Sequence, residues 1–249
     1  MSNDYRVGMP KAEKKAGDFS VYAAGELFTQ HDLATNVLIK KSVWKQSEGK
    51  YELVLPQSKE LRELDRPDIA AYIRNVDLIQ VVKTDMFLAR FDGLELDAGT
   101  VIEFMLAKFL GKATVILRCD SRRLGGESLD EPYNLMVKNW PRTVEIHYDS
   151  LMNYVGSFAQ EWETQGNKET YQSTEQAEYQ TVMKGIDEIA KKIIEGLDAV
   201  QAIKSPYPDE YQELAYKLAM YSPGSGFYQL LREKELKELI QRFRSAGTL

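Results

Sequence analysis

The chain has 249 residues, of which 43% are hydrophobic and 28% charged, and its formal net charge is −6. This composition is ordinary for a globular protein, and the acidic balance without a basic stripe argues against nucleic-acid binding. Cys119 is the only cysteine, which excludes an internal disulfide and a cysteine-based zinc site. The polar start lacks a signal-peptide core, and no apolar window reaches about 18 residues, so we expect a cytoplasmic protein without membrane contact.

Strand and helix patterns alternate along the first part of the chain. Residues 1–17 are rich in Lys, Gly and Asp and predict a flexible arm. The predicted strands lie in FSVYAAGELF (Ser20 to Ala24), YELVLPQ, MFLARFD, ATVILRCD and RTVEIHY. Three helices are predicted between them, in HDLATNVLIKKSVWK, RPDIAAYIRNVDLIQVVKTD and TVIEFMLAKFLGK, the last ending at Gly111 as a C-terminal cap.

This alternation, with strands that are almost continuously apolar, predicts an α/β fold with a parallel sheet covered on both faces. We interpret residues 18–150 as a doubly wound, five-stranded catalytic domain. No strand candidate follows Tyr148, and apolar stripes at helical spacing predict a helical extension over residues 151–249. Subunit packing is one role we consider for this extension.

Several polar residues fall at or beyond the predicted strand ends, where doubly wound sheets place their chemistry. They are Gly25, Gln57, Asp92, Asp97 and Asp120. Asp85, Asp92 and Asp97 gather around one strand, and carboxylates so close together repel one another unless a ligand binds among them. This crowding indicates a functional site.

Glu103 is predicted on the first turn of a helix that otherwise resembles core. Its apolar neighbours Val101, Ile102, Phe104 and Met105 predict that little of this turn faces water. A plain helix-favouring glutamate is the alternative. The chain lacks the dinucleotide fingerprint, the Walker loop and the nucleophile elbow of serine hydrolases. Metal binding by carboxylate oxygens is conceivable, but His31 and His147 are not arranged as a ligand pair. What remains is carboxylate chemistry on a small polar substrate. Its leading example is glycosyl transfer, in which one carboxylate attacks the anomeric carbon and a second acid assists the leaving group.

The ordered segments VYAAGELF, LPQ, TDMFLARFDG, LDAGTVIEFMLAKFLGK, VILRCDSR and PYNLM resemble the nucleoside 2-deoxyribosyltransferases over roughly residues 20–148. The most specific part is D-x-G-x-x-x-E followed by a helix, Gly-Lys and a strand. The resemblance implies a flavodoxin-like fold, exchange of nucleobases between 2′-deoxyribonucleosides, and neither cofactor nor metal.

The resemblance also assigns roles to residues. Glu103 corresponds to the nucleophile, Tyr22 to the tyrosine that orients it, and Asp85 to the acid at the base. The substrate-binding residues that it implies are Asp97, Gln57, Asn134 and Met136. Asp92 and Gly25 are added to them because they lie at strand ends, although Asp92 could simply start a turn with Gly93. Asn134 corresponds to an asparagine that reaches the 5′-hydroxyl from a neighbouring subunit, which implies a homo-oligomer with shared active sites.

Other functions and other residue roles remain open at this point. Water could resolve the intermediate, which would make the chain a nucleoside or nucleoside 5′-monophosphate N-glycosidase, although Ala98 and Asn134 favour an uncharged 5′-hydroxyl. A non-catalytic nucleotide sensor is the third hypothesis. Asn134 could simply cap a short helix, and Gln57 could be an ordinary loop residue.

Overall fold

The computed structural model describes residues 19–58, 67–122, 133–164, 171–221 and 227–249. The predicted arm over residues 1–17 lies outside these ranges. No helix within them is both long enough and apolar enough to cross a membrane.

The centre of the fold is a parallel sheet of five strands in the order β2-β1-β3-β4-β5. Its strands are β1 (Phe19–Ala24), β2 (Tyr51–Val54), β3 (Met86–Arg90), β4 (Thr114–Arg118) and β5 (Thr143–His147). This is the flavodoxin-like order, so the predicted fold class is confirmed. All carboxyl ends lie at one edge of the sheet, and the strand order reverses between β1 and β3, where such folds open a crevice.

Helices cover both faces of the sheet. On one face, α1 (Gln30–Gln46) and α5 (Tyr171–Gln201) enclose an apolar cluster that contains Val21, Leu53 and Ile193. Gly196 allows α5 to approach closely, since a Cβ there would lie 2.8 Å from Cδ1 of Ile146. On the other face, α2 (Ile69–Lys83) and α3 (Ala98–Phe109) enclose a second cluster. It includes Tyr22, Val81, Phe87, Ala89, Phe91 and Phe104.

The described segments after residue 150 are helical, as predicted. They form α4 (Ser150–Thr164), α5, α6 (Asp209–Met220), α7 (Phe227–Leu230) and α8 (Glu233–Ser245). Tyr216 of α6 and Phe243 of α8 pack in one apolar cluster with Ile79 and Val82 of α2. The predicted boundary at residue 150 and the suggested role in subunit packing stay predictions, but α5, α6 and α8 pack against the domain that precedes them.

The end of α3 follows the predicted capping pattern. Gly111 lies two residues after Phe109 and has φ of +69°, in the left-handed region that glycine adopts without steric cost. The chain then turns back into β4. This turn places the buried side chains of Lys108 and Lys112 at the amino-terminal edge of the sheet, opposite the crevice.

Candidate active site

Tyr22 and Glu103 meet beside the crevice. Alternation along β1 directs the Tyr22 side chain to the α2/α3 face, where it is fully buried and stacks on Phe87 with ring centroids 5.9 Å apart. Its hydroxyl donates a hydrogen bond of 2.6 Å to Oε1 of Glu103. A hydrogen bond in which the acceptor is ionised is stronger than a hydrogen bond between two neutral groups, and it fixes the acceptor's orientation more firmly. One carboxylate oxygen of Glu103 is therefore positioned by a rigid, buried side chain.

The helix that carries Glu103 begins earlier than expected. It starts at Ala98 rather than near Thr100, so Glu103 lies on its second turn. The helix dipole acts mainly within the first turn and does not account for a carboxylate at this position. The prediction that little of the turn around Glu103 faces water is also wrong for a single copy of the chain, because Ile102 is 60% exposed and Met105 is 38% exposed.

Asp97 is the N-cap of the same helix. Its Oδ2 accepts hydrogen bonds from the backbone N and from Oγ1 of Thr100, both at 2.7 Å. No described residue donates to its Oδ1. Asp97 therefore anchors the start of α3 with one oxygen and keeps the second for another partner, at the same edge of the sheet as Tyr22 and Glu103.

Asp92 and Gly25 also lie at this edge, where they hold strand ends together. Oδ1 of Asp92 accepts from the backbone N of Cys119 at 2.6 Å and of Asp120 at 3.1 Å. Burial raises the pKa of Asp92, although these hydrogen bonds and Arg90 oppose the rise. Gly25 packs closely on Arg90, since a Cβ at Gly25 would lie 3.1 Å from the Arg90 Cβ.

A cavity of about 210 Å³ opens at the same edge, on the α1/α5 face. Its lining includes Arg90, Asp92, Cys119 and Tyr148, but neither Tyr22 nor Glu103. Asp92 is thus directed to the side of the sheet opposite the Tyr22–Glu103 pair.

Gln57 follows β2 in a single 3-10 turn, and its amide contacts α1. Its Oε1 accepts from Nδ2 of Asn36 at 2.9 Å, and its Nε2 donates to the carbonyl of Leu33 at 3.2 Å. Gln57 therefore lies at the correct edge for substrate contact, but a substrate would have to compete with these two partners.

Asp85 does not lie with the other predicted residues. It precedes β3, and its Oδ2 accepts a hydrogen bond of 2.8 Å from the backbone N of Ser20 at the start of β1. Its Oδ1 lies 3.2 Å from Nη2 of Arg242 on α8. The five residues of β3 separate this amino-terminal edge from the crevice by roughly 17 Å. The expected contact of Asp85 with a base beside Glu103 is therefore not supported by this geometry.

Asn134 and Met136 lie on the surface of a single copy. Asn134 begins a short 3-10 helix, Leu135–Val137, and its Oδ1 accepts from the backbone N of Met136 at 2.9 Å. The Met136 side chain is 74% exposed. The capping alternative for Asn134 is thus observed, and it leaves the predicted contact with a neighbouring subunit untested.

Sequence reasoning missed one carboxylate on α2. Asp77 lies four residues, about one helical turn, before Val81, which is fully buried in the cluster with Tyr22 and Phe104. Residues at this spacing share a helix face, so Asp77 is directed towards the same side of the sheet as Glu103, and its Oδ1 is buried. The signal in the sequence was a lone Asp on the otherwise apolar face of a predicted helix.

Comparison with known proteins confirms the resemblance for part of the chain. Residues 21–136 match the family model of the nucleoside 2-deoxyribosyltransferases. This segment contains all nine predicted site residues. No curated protein matches the chain.

Two solved structures are similar to the chain. The 2-deoxyribosyltransferase from the psychrotolerant bacterium Bacillus psychrosaccharolyticus is 17% identical, has a TM-score of 0.40, and the match covers 52% of this chain and 85% of that one. A conserved protein from Enterococcus faecalis V583 is 23% identical, with a TM-score of 0.43 and coverage of 54% and 94%.

Proposed function

We propose that the chain, which matches the nucleoside 2-deoxyribosyltransferases over residues 21–136, transfers 2-deoxyribose between nucleobases through Glu103. The observation that carries the proposal is the 2.6 Å hydrogen bond from Tyr22 to Glu103 beside the crevice. A nucleophile held by a buried tyrosine at this edge suits attack on a small polar substrate, because positioning removes much of the entropic barrier.

The proposed reaction has two displacements. In the first, a carboxylate oxygen of Glu103 bonds to C1′ as the C1′–N bond breaks, and the leaving base takes a proton. In the second, a nitrogen of the incoming base bonds to C1′, the ester bond to Glu103 breaks, and the incoming base gives up a proton. Two inversions at one carbon retain its configuration. Asp97 is our candidate for binding the sugar, because its Oδ2 caps the helix and its Oδ1 takes no part in the cap.

Asp77 replaces Asp85 as our candidate for proton transfer to the base. It lies on the face of α2 directed at the Tyr22–Glu103 side, whereas Asp85 lies at the other edge of the sheet. The matched variants Asp77→Asn and Asp85→Asn separate the two assignments. We expect the first to lower kcat strongly, by the 10²–10⁴-fold typical of acid–base residues, and the second to leave kcat within about twofold. The reverse order would restore Asp85 to the site.

We also propose that a second copy completes the site. Ile102 and Met105 on α3 and Leu135 and Met136 beside it are exposed apolar side chains, and exposed apolar patches of this kind mark interaction surfaces. Mixed oligomers provide a test. Glu103→Ala and Asn134→Ala are each expected to be inactive, and joint refolding of the two should restore activity if Asn134 serves the neighbour's site. If the jointly refolded mixture has only the summed activity of the two separate variants, the active site is not shared between subunits.

The exchange reaction itself is tested by chromatography. Purified protein is incubated with 2′-deoxyinosine, with and without adenine or cytosine as acceptor. We expect a new deoxynucleoside and free hypoxanthine only when the acceptor is present. Equal release of hypoxanthine and free deoxyribose in both reactions would instead identify water as the acceptor and the chain as an N-glycosidase. No turnover with deoxynucleosides or their monophosphates would favour the nucleotide sensor.

A further inference from the structure

The amino-terminal edge of the sheet concentrates buried positive charge. Lys108 and Arg142 are 5% and 4% exposed. The Lys108 ammonium donates to oxygens of Lys112, Thr114, Arg142 and Thr143 at 2.9–3.1 Å, all of them carbonyls or hydroxyls. Across the described ranges, no carboxylate forms an ion pair with Lys108 or Arg142. Burial, together with Arg142, lowers the pKa of Lys108 to about 7. Because a pKa of about 7 leaves Lys108 partly neutral, Arg142 is the permanent positive charge of this pair.

Arg142 itself is incompletely satisfied and strained. Its Nη1 donates to the carbonyls of Gly111 at 3.0 Å and Thr248 at 3.1 Å. Its Nε is buried and has no acceptor among the residues that the structure describes. The backbone of Arg142 has φ of +53°, a conformation that costs of order 1 kcal/mol or more in a residue other than glycine. Strain of this kind is retained where a side chain must be held in a particular place.

A polar cavity of about 330 Å³ lies beside Arg142. The connection from α5 to α6 supplies three of its six polar side chains, and Gly247 and Leu249 also line it. The polar side chains that line it are Arg142, Gln201, Lys204, Ser205, Tyr207 and Gln212. All of them can donate a hydrogen bond, and none of the described lining side chains is acidic; the α-carboxylate of Leu249 is the one negative group among these residues. The volume falls within the range of small-molecule sites, roughly 300–1,000 Å³.

We propose that this cavity binds a small phosphate-bearing anion, with Arg142 and Lys204 supplying the positive charge and Gln201, Ser205 and Gln212 the neutral donors. Guanidinium and ammonium groups are the usual protein ligands of phosphate. The site lies at the opposite edge of the sheet from Glu103, so it is separate from the proposed active site. Binding would join the loop before β5 to the α5–α6 connection.

Calorimetric titration of the full chain tests the proposal, with inorganic phosphate and 2′-deoxyadenosine 5′-monophosphate as separate probes at a chloride-matched ionic strength. We expect saturable binding of at least one probe. Equal affinity for both would identify phosphate itself as the recognised group. Tighter binding of the monophosphate that Lys204→Glu weakens would identify a phosphate monoester as the ligand of this cavity, whereas binding that Lys204→Glu leaves unchanged would belong to the Glu103 site and would not support the proposal. Absence of saturable binding with either probe would overturn the proposal.

Two charge reversals on the surface show where the anion binds. Lys204→Glu should weaken binding by tenfold or more, since it converts an attractive charge into a repulsive one at the site. Lys192→Glu makes the same change on the exposed surface of α5, nine residues or about 14 Å along the chain from Gln201, and should leave affinity within about twofold. Equal weakening by both variants would mean that general surface charge, rather than this cavity, attracts the anion.

A third variant tests the buried arginine. Arg142→Lys keeps a positive charge but replaces the planar guanidinium by an ammonium group, so we expect weaker binding with the affinity ratio between the two probes altered. Circular dichroism controls for folding. Deoxyribosyl exchange by Lys204→Glu should equal that of the wild type, which separates a failure of this site from a failure of the proposed function. Unchanged phosphate affinity in both Arg142→Lys and Lys204→Glu would remove the cavity from consideration.

Discussion

Removing the Tyr22 hydroxyl isolates the contact on which the proposed chemistry depends. Tyr22→Phe keeps a ring that is fully buried and stacked on Phe87, and removes the hydroxyl that forms the 2.6 Å hydrogen bond to Glu103. Hydrogen bonds to charged groups contribute about 1.5–3 kcal/mol, which corresponds to roughly a ten- to hundredfold change in rate. Because the hydroxyl contacts the nucleophile, we expect kcat for exchange to fall by that factor, with KM within about twofold.

Tyr51→Phe is the matched control for this experiment. Tyr51 is equally buried on the neighbouring strand β2, and its hydroxyl donates a hydrogen bond of the same 2.6 Å length to Asp198, on the α5 side of the sheet. Steady-state kinetics and urea unfolding would be measured for both variants. We expect similar losses of stability and a loss of kcat in Tyr22→Phe alone. Equal kcat in the two variants would refute the positioning role of Tyr22.

Three further outcomes follow from packing and burial. Gly196→Ala should lower the free energy of unfolding, measured in urea, by about 1–3 kcal/mol, because the added Cβ would meet Ile146. Gly156→Ala on α4 is the control: a Cβ added there has no atom within 4 Å, so the variant should not destabilise the fold. Burial lowers the pKa of Lys112 to about 7, so between pH 7 and about 10 the unfolded state binds more protons than the folded state. The free energy of unfolding should therefore rise with pH in this range. Lys112→Met should reduce the slope of that free energy against pH by up to about 1.4 kcal/mol per pH unit. Burial raises the pKa of the Cys119 thiol, so a thiol reagent at neutral pH should react with it much more slowly in the folded chain than after unfolding. Equal rates in the two states would contradict this placement.

The sheet and the helices that carry the site were predictable because their patterns are local. Apolar runs separated by helical spacing define the five strands and α1 to α3, and the parallel arrangement follows from their alternation. The same rule places Glu103, Asp97 and Gln57 at the carboxyl edge. Applied strictly, it also separates Asp85 from them, because that residue precedes β3.

The packing of the C-terminal helices was not predictable from their amphipathic stripes. An apolar stripe shows that a helix face is covered, but it does not show what covers it, and Ile193 of α5 packs on the sheet. The burial of Lys108 and Arg142 was not predicted, since lysine and arginine are mostly exposed in proteins. Their burial depends on acceptors from separate segments of the chain, including the carbonyl of Thr248 for Arg142.

Detection of the covalent intermediate tests the central claim most directly. The protein is mixed with 2′-deoxyinosine without an acceptor base, quenched in acid and digested, and the peptide that carries Glu103 is analysed by mass spectrometry beside the same peptide from Glu103→Ala. We predict a gain of one deoxyribosyl unit on Glu103, lost when adenine is added before the quench, and no adduct in the variant. An exchange-active wild type without this adduct, or a Glu103→Ala variant that retains most of its exchange activity, would contradict the proposed role of Glu103.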